Sequence, residues 1–390
     1  MIKKPVYLDY HATTPVDPLV FKAMAPFFTD YFGNPGSTHY YGDIARNSVE
    51  ESRGYIANTI NADQPEEIVF TSGATESNNI AIQGIARFLQ SRGKTHIITS
   101  QIEHKSVLDV VSKLDDFEVT YLTPNSDGTF KISALINAIQ PNTGFITLMH
   151  ANNEIGIINP IEKIGVIAEE RNILFHCDVA QSLGKLPIDV KRMNVDILSM
   201  SAHKIYGPKG IGILYQKNSR ANFQLEALFH GGGQEQGLRP GTVSPALVVG
   251  LAEALKLSVK NMKEENQRIS KLRDYLFQGL KSKCQDIILN GTTENRLPNN
   301  LNISILGVPS ESLMINLRDK IAVSNGSACT NYAPMPSHVL KAMGVEKEIA
   351  ESAIRFGLGR FTTFEEIEYA IECIGVAVTN LRHKIAQAHQ

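Results

Sequence analysis

Apolar positions recur along this chain in two rhythms. Between residues 66 and 216, short β-type runs fall at 67–70, 96–99, 118–122, 145–149, 173–176, 196–200 and 212–215. Between them, Ala81, Ile85, Phe88 and Leu89 keep helical spacing, as do Val107, Val110, Val111 and Leu114. Strands alternating with helices predict a mostly parallel sheet covered on both faces. In such sheets, ligand-facing residues gather just past the carboxyl ends of the strands. From Leu247 the rhythm changes. Leu247, Leu251, Leu255, Val259, Met262, Ile269, Leu272, Leu276 and Leu280 form one stripe with no internal proline, predicting a helix that runs out of one domain into the next. Beyond about residue 284, a strand-like run at 301–305 and a few helical patterns predict a smaller α+β domain. No repeat, low-complexity tract or flexible linker separates the two, so they are expected to pack together.

Composition narrows the function classes. At 390 residues the chain has room for two or three domains, and 43% hydrophobic content suits an ordinary folded protein. Its 38 basic and 40 acidic residues leave a net charge of −2, with no global positive field for nucleic acid or anionic lipid. The N-terminus lacks the apolar core of a secretory signal, and no run of about 18 apolar residues indicates a membrane span. Cys177, Cys284, Cys329 and Cys373 are widely spaced and contain no C-x-x-C pair, which gives neither a zinc signature nor a disulfide framework. No metal site is expected, and a reducing cytoplasm is the default.

Three stretches carry candidate chemistry. In Phe70-Thr71-Ser72-Gly73-Ala74-Thr75-Glu76-Ser77 a strand gives way to a helix through small and hydroxyl residues. Backbone N–H groups and the macrodipole at such a start suit a phosphate, although the same residues would make an ordinary capped helix. In Phe175-His176-Cys177-Asp178-Val179-Ala180-Gln181 an apolar strand ends in a carboxylate that could face a ligand or cap the next helix. In Ser199-Met200-Ser201-Ala202-His203-Lys204 a third strand runs into a lysine. Desolvation disfavours its charge and leaves the amine able to form a Schiff base, whereas Lys209, in the following Gly/Pro turn, reads as a surface lysine. Together they supply the parts that pyridoxal 5′-phosphate requires: an amine for its aldehyde, a carboxylate for its pyridine nitrogen and a helix start for its phosphate.

Further landmarks extend the picture. They include Tyr7-Leu8-Asp9-Tyr10-His11-Ala12-Thr13-Thr14-Pro15, Glu103-His104-Lys105, Met149-His150-Ala151-Asn152-Asn153-Glu154-Ile155-Gly156, His230-Gly231-Gly232-Gly233, Ser324-Asn325-Gly326-Ser327-Ala328-Cys329-Thr330 and Arg355-Phe356-Gly357-Leu358-Gly359-Arg360. With these in order over nearly its whole length, the sequence resembles the pyridoxal-phosphate-dependent cysteine desulfurases of the NifS/IscS type, within the class V aminotransferases. The resemblance implies a fold-type I enzyme: an α/β large domain over 14–258 with a mostly parallel seven-stranded sheet, and a small α+β domain from 1–13 and 259–390. The small domain would carry the catalytic cysteine loop at about 324–336. It also implies a homodimer with active sites at the subunit interface.

Carried over residue by residue, the resemblance makes Lys204 the Schiff-base lysine, Asp178 the partner of the pyridine nitrogen and Gln181 a donor to the phenolic oxygen. His104 would stack on the ring and serve as an acid/base. Ala74, Thr75, Ser201 and His203 match the phosphate cup, and Thr242 resembles a phosphate contact given by the other subunit. Asn153 and Arg355 would bind the substrate carboxylate, and Cys329 would accept sulfur, in a small-residue, proline-containing stretch that reads as a loop. Cys177, Cys284 and Cys373 read as structural. The implied reaction takes sulfur from L-cysteine, leaves a persulfide on Cys329 and releases L-alanine. The sulfur would pass to an acceptor protein for iron–sulfur assembly, tRNA thiolation or DNA phosphorothioation. The chain ends soon after Leu381-Arg382-His383-Lys384, which predicts weak docking to a general iron–sulfur scaffold and a dedicated acceptor instead. Asn325 and Asn331 stand where serines are more usual and leave the loop spacing unchanged. A selenocysteine lyase or aminotransferase of the same fold is the enzymatic alternative. A catalytically silent scaffold is the non-enzymatic one.

Overall fold

A computed structural model describes residues 5–218, 223–326 and 337–388. Its main sheet has seven strands, β2 (Ile68–Thr71), β3 (His96–Ser100), β4 (Glu118–Leu122), β5 (Thr143–Thr147), β6 (Leu174–Asp178), β7 (Ile197–Ser201) and β8 (Gly212–Gln216). Their spatial order is β2-β8-β7-β6-β5-β3-β4, with β8 antiparallel to both neighbours and every other pairing parallel. The expected mostly parallel seven-stranded sheet is therefore present. Strands β2, β3, β5, β6 and β7 are buried along their whole lengths, because helices cover both faces. That is why they read in sequence as continuous apolar runs.

A second sheet joins β9 (Ile287–Leu289), β10 (Asn300–Ile305) and β12 (Ala353–Gly357), all antiparallel in the order β12-β10-β9. Near it, β1 (Val6–Tyr7) pairs in parallel with β11 (Ile321–Ala322), and Asp9 bridges to Gly357. The first residues of the chain thus reach the second core. The 39-residue helix Pro245–Lys283 begins with proline at a position where no N–H is needed. It spans about 58 Å at 1.5 Å per residue, enough to serve two cores. Leu251 and Leu255 pack in the core of the large sheet, while Leu272, Leu276 and Leu280 pack in that of the small one. Among the described residues, no helix is long and apolar enough to cross a membrane.

Candidate active site

The carboxyl ends of β6 and β7 open on a cavity of about 570 Å³. Strand β6 places Asp178 there. One turn of 3₁₀ helix after β7, Ala202–Lys204, turns His203 and Lys204 to the same side. Ala74 and Thr75 come from the start of the helix Ala74–Gln90, whose N-cap, Gly73, offers no side-chain cap. The first-turn N–H donors are therefore left to the cavity that Ser72 to Glu76 line. Gly73 has φ +152°, and a Cβ on the neighbouring Gly212 would come within 2.5 Å of its Cα, so glycines are what let this turn approach β8. His104, Gln181, Ser201, Asn153 and Arg355, also predicted, line the same cavity.

Hydrogen bonds fix these groups in two chains. On one side Asp178 accepts from Asn78 Nδ2 (2.8 Å) and from the Ala180 N–H (2.8 Å). Asn78 Nδ2 also reaches Ser106 Oγ at 2.8 Å, and Ser106 Oγ lies 2.8 Å from His104 Nδ1. The Ser106 N–H donates to that same Nδ1, so the ring's proton belongs on Nε2. On the other side, Lys204 Nζ donates to the carbonyls of His11 and Ala12, the latter at 2.8 Å. Gln181 is bound twice to His11, through Nδ1 at 3.0 Å and the carbonyl at 3.1 Å. Burial, with Arg355 nearby, pushes the His11 pKa well down, and the neutral ring receives Asn300 Nδ2 at 3.2 Å. Burial, then Lys204, lowers His203 to about 4, and its Nδ1 lies 3.1 Å from Thr13 Oγ1.

Arg355 comes from β12. Its Nη2 donates to Asp9 (2.9 Å) and its Nη1 to the carbonyl of Asn153 (2.9 Å). Its buried Nε has no hydrogen-bond partner among the described residues. A buried, unsatisfied donor on a planar cation suits an incoming carboxylate. Neutral imidazoles, a helix start, an amine and a carboxylate in one enclosure fit pyridoxal phosphate as a donor set. Among the described residues no group of three His, Cys, Asp or Glu could hold a metal ion.

One predicted residue stands apart. Thr242 lines a separate surface cavity with Phe229, His230 and Arg239, and shares with the main cavity only Glu76. Glu76 joins the two, accepting from the Ser72 N–H and from Arg239 Nε (2.9 Å). Cys329 lies outside the described residues, though Gly326, three positions before it, lines the main cavity. Cys177 is fully buried, and burial drives its thiol pKa well up, which suits a structural role. Lys209 is exposed, as a turn lysine should be, yet borders the cavity. His11, Asn78 and Ser106 carry no functional signal in the sequence reading. His11 lies within the Tyr7–Pro15 motif, and its contact with Gln181, 170 residues away, gives it a place in the site.

Residues 6–370 match the aminotransferase class-V family. The chain is 51% identical over 386 residues to the cysteine desulfurase IscS of Pasteurella multocida, covering 98% of this chain and 94% of that protein. The IscS of Tolumonas auensis is 50% identical over the same shares. Among solved structures, a NifS-like protein superposes with a TM-score of 0.89 at 36% identity, covering 96% of this chain and 99% of the other. SspA in complex with cysteine matches with a TM-score of 0.81 at 40% identity, covering 92% and 100%.

Proposed function

This chain belongs to the aminotransferase class-V family and is a pyridoxal-phosphate-dependent cysteine desulfurase, and from that premise we propose how its own residues divide the work. The observation that carries the assignment is the meeting of Lys204, Asp178, the helix start at Ala74 and Arg355 on one cavity. When bound there, pyridoxal phosphate supplies an aldehyde for an amine and a protonated ring that draws electrons from the substrate's α carbon. Lys204 would hold the aldehyde through its amine and would serve as the base that takes the substrate's α proton. Asp178 is fixed by Asn78 and the Ala180 N–H and keeps a proton on the ring nitrogen. Ala74, Thr75, Ser201 and His203 receive the phosphate, with Gln181 at the phenolic oxygen.

Arg355 and Asn153 hold the carboxylate of L-cysteine. The Ser106–His104 contact fixes the imidazole at the cavity with its proton on Nε2, where it would act as the acid/base beside the cofactor. The Cys329 thiolate attacks the substrate sulfur. Its S–S bond forms as the substrate's C–S bond breaks, and the carbon fragment, keeping that electron pair, is protonated to alanine. The persulfide then passes to an acceptor protein. The active unit is a homodimer in which Thr242 completes the phosphate site of the other copy, consistent with its position away from the cavity of its own chain. The test is Lys204→Ala: the purified variant should release no alanine from L-cysteine, and normal alanine production would overturn the assignment.

A further inference from the structure

Four buried side chains, Arg296, Asn300, His11 and Gln181, form a hydrogen-bonded file that ends at the cavity. Its direction is set at the far end. A guanidinium can only donate, so Arg296 Nη1, 2.9 Å from Asn300 Oδ1, turns the oxygen of that amide towards itself. Asn300 Nδ2 then faces His11 Nε2 at 3.2 Å and the Glu154 carbonyl at 3.0 Å, and both must accept. A neutral imidazole that accepts at Nε2 carries its proton on Nδ1, which lies 3.0 Å from Gln181 Oε1. The His11 carbonyl takes the other end of the same amide, accepting from Gln181 Nε2 at 3.1 Å. Ring and backbone of one residue therefore grip both ends of the Gln181 amide.

The ring has little freedom to do otherwise. Gly357 in β12 comes so close that a Cβ on it would lie 2.7 Å from the His11 nitrogen and 2.9 Å from Cδ2 of the ring. Burial, then the cationic groups Arg355, Lys185 and Lys204, keep the imidazole neutral against the pull of its bond to Gln181. A protonated ring would also set Nε2–H against Asn300 Nδ2, donor against donor. Asn300 begins β10 of the second sheet, whereas Gln181 follows β6 of the first. The file thus carries the orientation of one amide from one sheet to the other.

We propose, on the reading of Gln181 as donor to the cofactor's phenolic oxygen, that His11 is a positioning residue: its Nδ1–H fixes the Gln181 amide so that the remaining N–H serves that oxygen. An Nδ1 without its proton would favour the amide turned by half a revolution, which presents an acceptor to an oxygen that carries negative charge. Such a turn needs only a side-chain torsion, so the ring, and not the surrounding fold, keeps the donor in place.

The test reads the pH dependence of the visible absorbance of the holoenzyme without substrate. Loss of a proton from the lysine-bound cofactor leaves negative charge on the phenolic oxygen, and a donor there stabilises that charge and lowers the midpoint. Gln181→Leu should therefore raise the midpoint by about one pH unit, tenfold in the dissociation constant. His11→Gln sets its amide near the place of Nε2 and cannot replace Nδ1. It should give about half that rise or more, because one of the two bonds that hold the Gln181 amide is gone. His11→Asn sets an amide nitrogen near the place of Nδ1 and should restore the parent midpoint. The double variant His11→Gln/Gln181→Leu should match Gln181→Leu alone, since His11 acts through Gln181. A parent-like midpoint in His11→Gln beside a raised one in Gln181→Leu would overturn the proposal, as would additive rises in the double variant. A parent-like midpoint in Gln181→Leu would instead refute the role given to Gln181. Should His11→Gln fail to fold, nitrogen NMR of the histidine-labelled parent decides. The signal lost in His11→Asn must belong to a neutral ring protonated at Nδ1, and protonation at Nε2 would overturn the proposal.

Discussion

Replacing Glu235 with alanine should destabilise this enzyme far more than an ordinary substitution. Glu235 is buried and accepts from Arg53 Nη1 (2.9 Å), Arg53 Nη2 (2.7 Å) and the Phe70 N–H (2.7 Å). Arg53 is buried too. Burial works against its charge, and Glu235 more than reverses that, raising its pKa. Its guanidinium lies 4.6 Å from the Phe70 ring centre and donates to the Ile68 carbonyl at 2.5 Å. In Glu235→Ala, Arg53 keeps exposed Glu50 as its charged partner among the described residues, and a buried N–H loses its acceptor. Breaking a buried ion pair from one side costs about 3–5 kcal/mol. The pair also holds a strained turn, since Glu235 and Gln236 have φ of 47° and 57°. Left-handed backbone costs about 1 kcal/mol or more per non-glycine residue, a cost alanine does not relieve. The turn leads to Gly241, whose N–H donates to Gln234 Oε1, and so to Thr242. Chemical denaturation of the holoenzyme should therefore show a loss of about 3–5 kcal/mol for Glu235→Ala, and the double variant Arg53→Met/Glu235→Ala should recover much of it. A single-variant loss below about 1 kcal/mol would refute the reasoning.

Two further outcomes follow from the site. The Lys204→Ala variant should lack the visible absorbance of lysine-bound cofactor, read directly by spectrophotometry. Lys185 donates to the Gln181 and Lys204 carbonyls at 3.0 and 3.4 Å, and burial, then Lys204, lowers its pKa to about 7. Between that value and the ordinary lysine value, the unfolded chain binds a proton that the folded one does not. Stability should therefore rise with pH across the window by about 1.4 kcal/mol per unit from this group. Lys185→Met should flatten that slope, and an unchanged slope would count against it.

What the sequence disclosed, and what it withheld, follows from the range of each interaction. Asp178 and Lys204 were legible because Asp178 ends a fully buried strand and Lys204 follows another by a single 3₁₀ turn, where apolar runs mark the sheet and the polar residues after them mark its edge. Strand limits were less sharp. The run expected at 145–149 is a ladder at Thr143–Thr147, because Leu148 and Met149 are buried by packing beyond the last paired residues. The partners of the site were hidden. His11 and Gln181 meet across 170 residues, Asn78 joins Asp178 across 100, and Arg53 finds Glu235 across 182. No local pattern encodes such pairings, since each is set by how the sheet and the first residues of the chain come together. Thr242 was recognisable only by resemblance, and within one chain it faces a different cavity.

The central claim is that sulfur leaves L-cysteine for Cys329. Brief treatment of the holoenzyme with L-cysteine, followed by peptide mass spectrometry and alanine assay, tests it most directly. One extra sulfur should appear on the peptide containing Cys329 with one equivalent of alanine, and Cys329→Ser should keep its cofactor yet carry no added sulfur, because a serine hydroxyl cannot hold a persulfide. Sulfur on Cys177, Cys284 or Cys373 instead, or alanine release by Cys329→Ser at the parent rate, would contradict it.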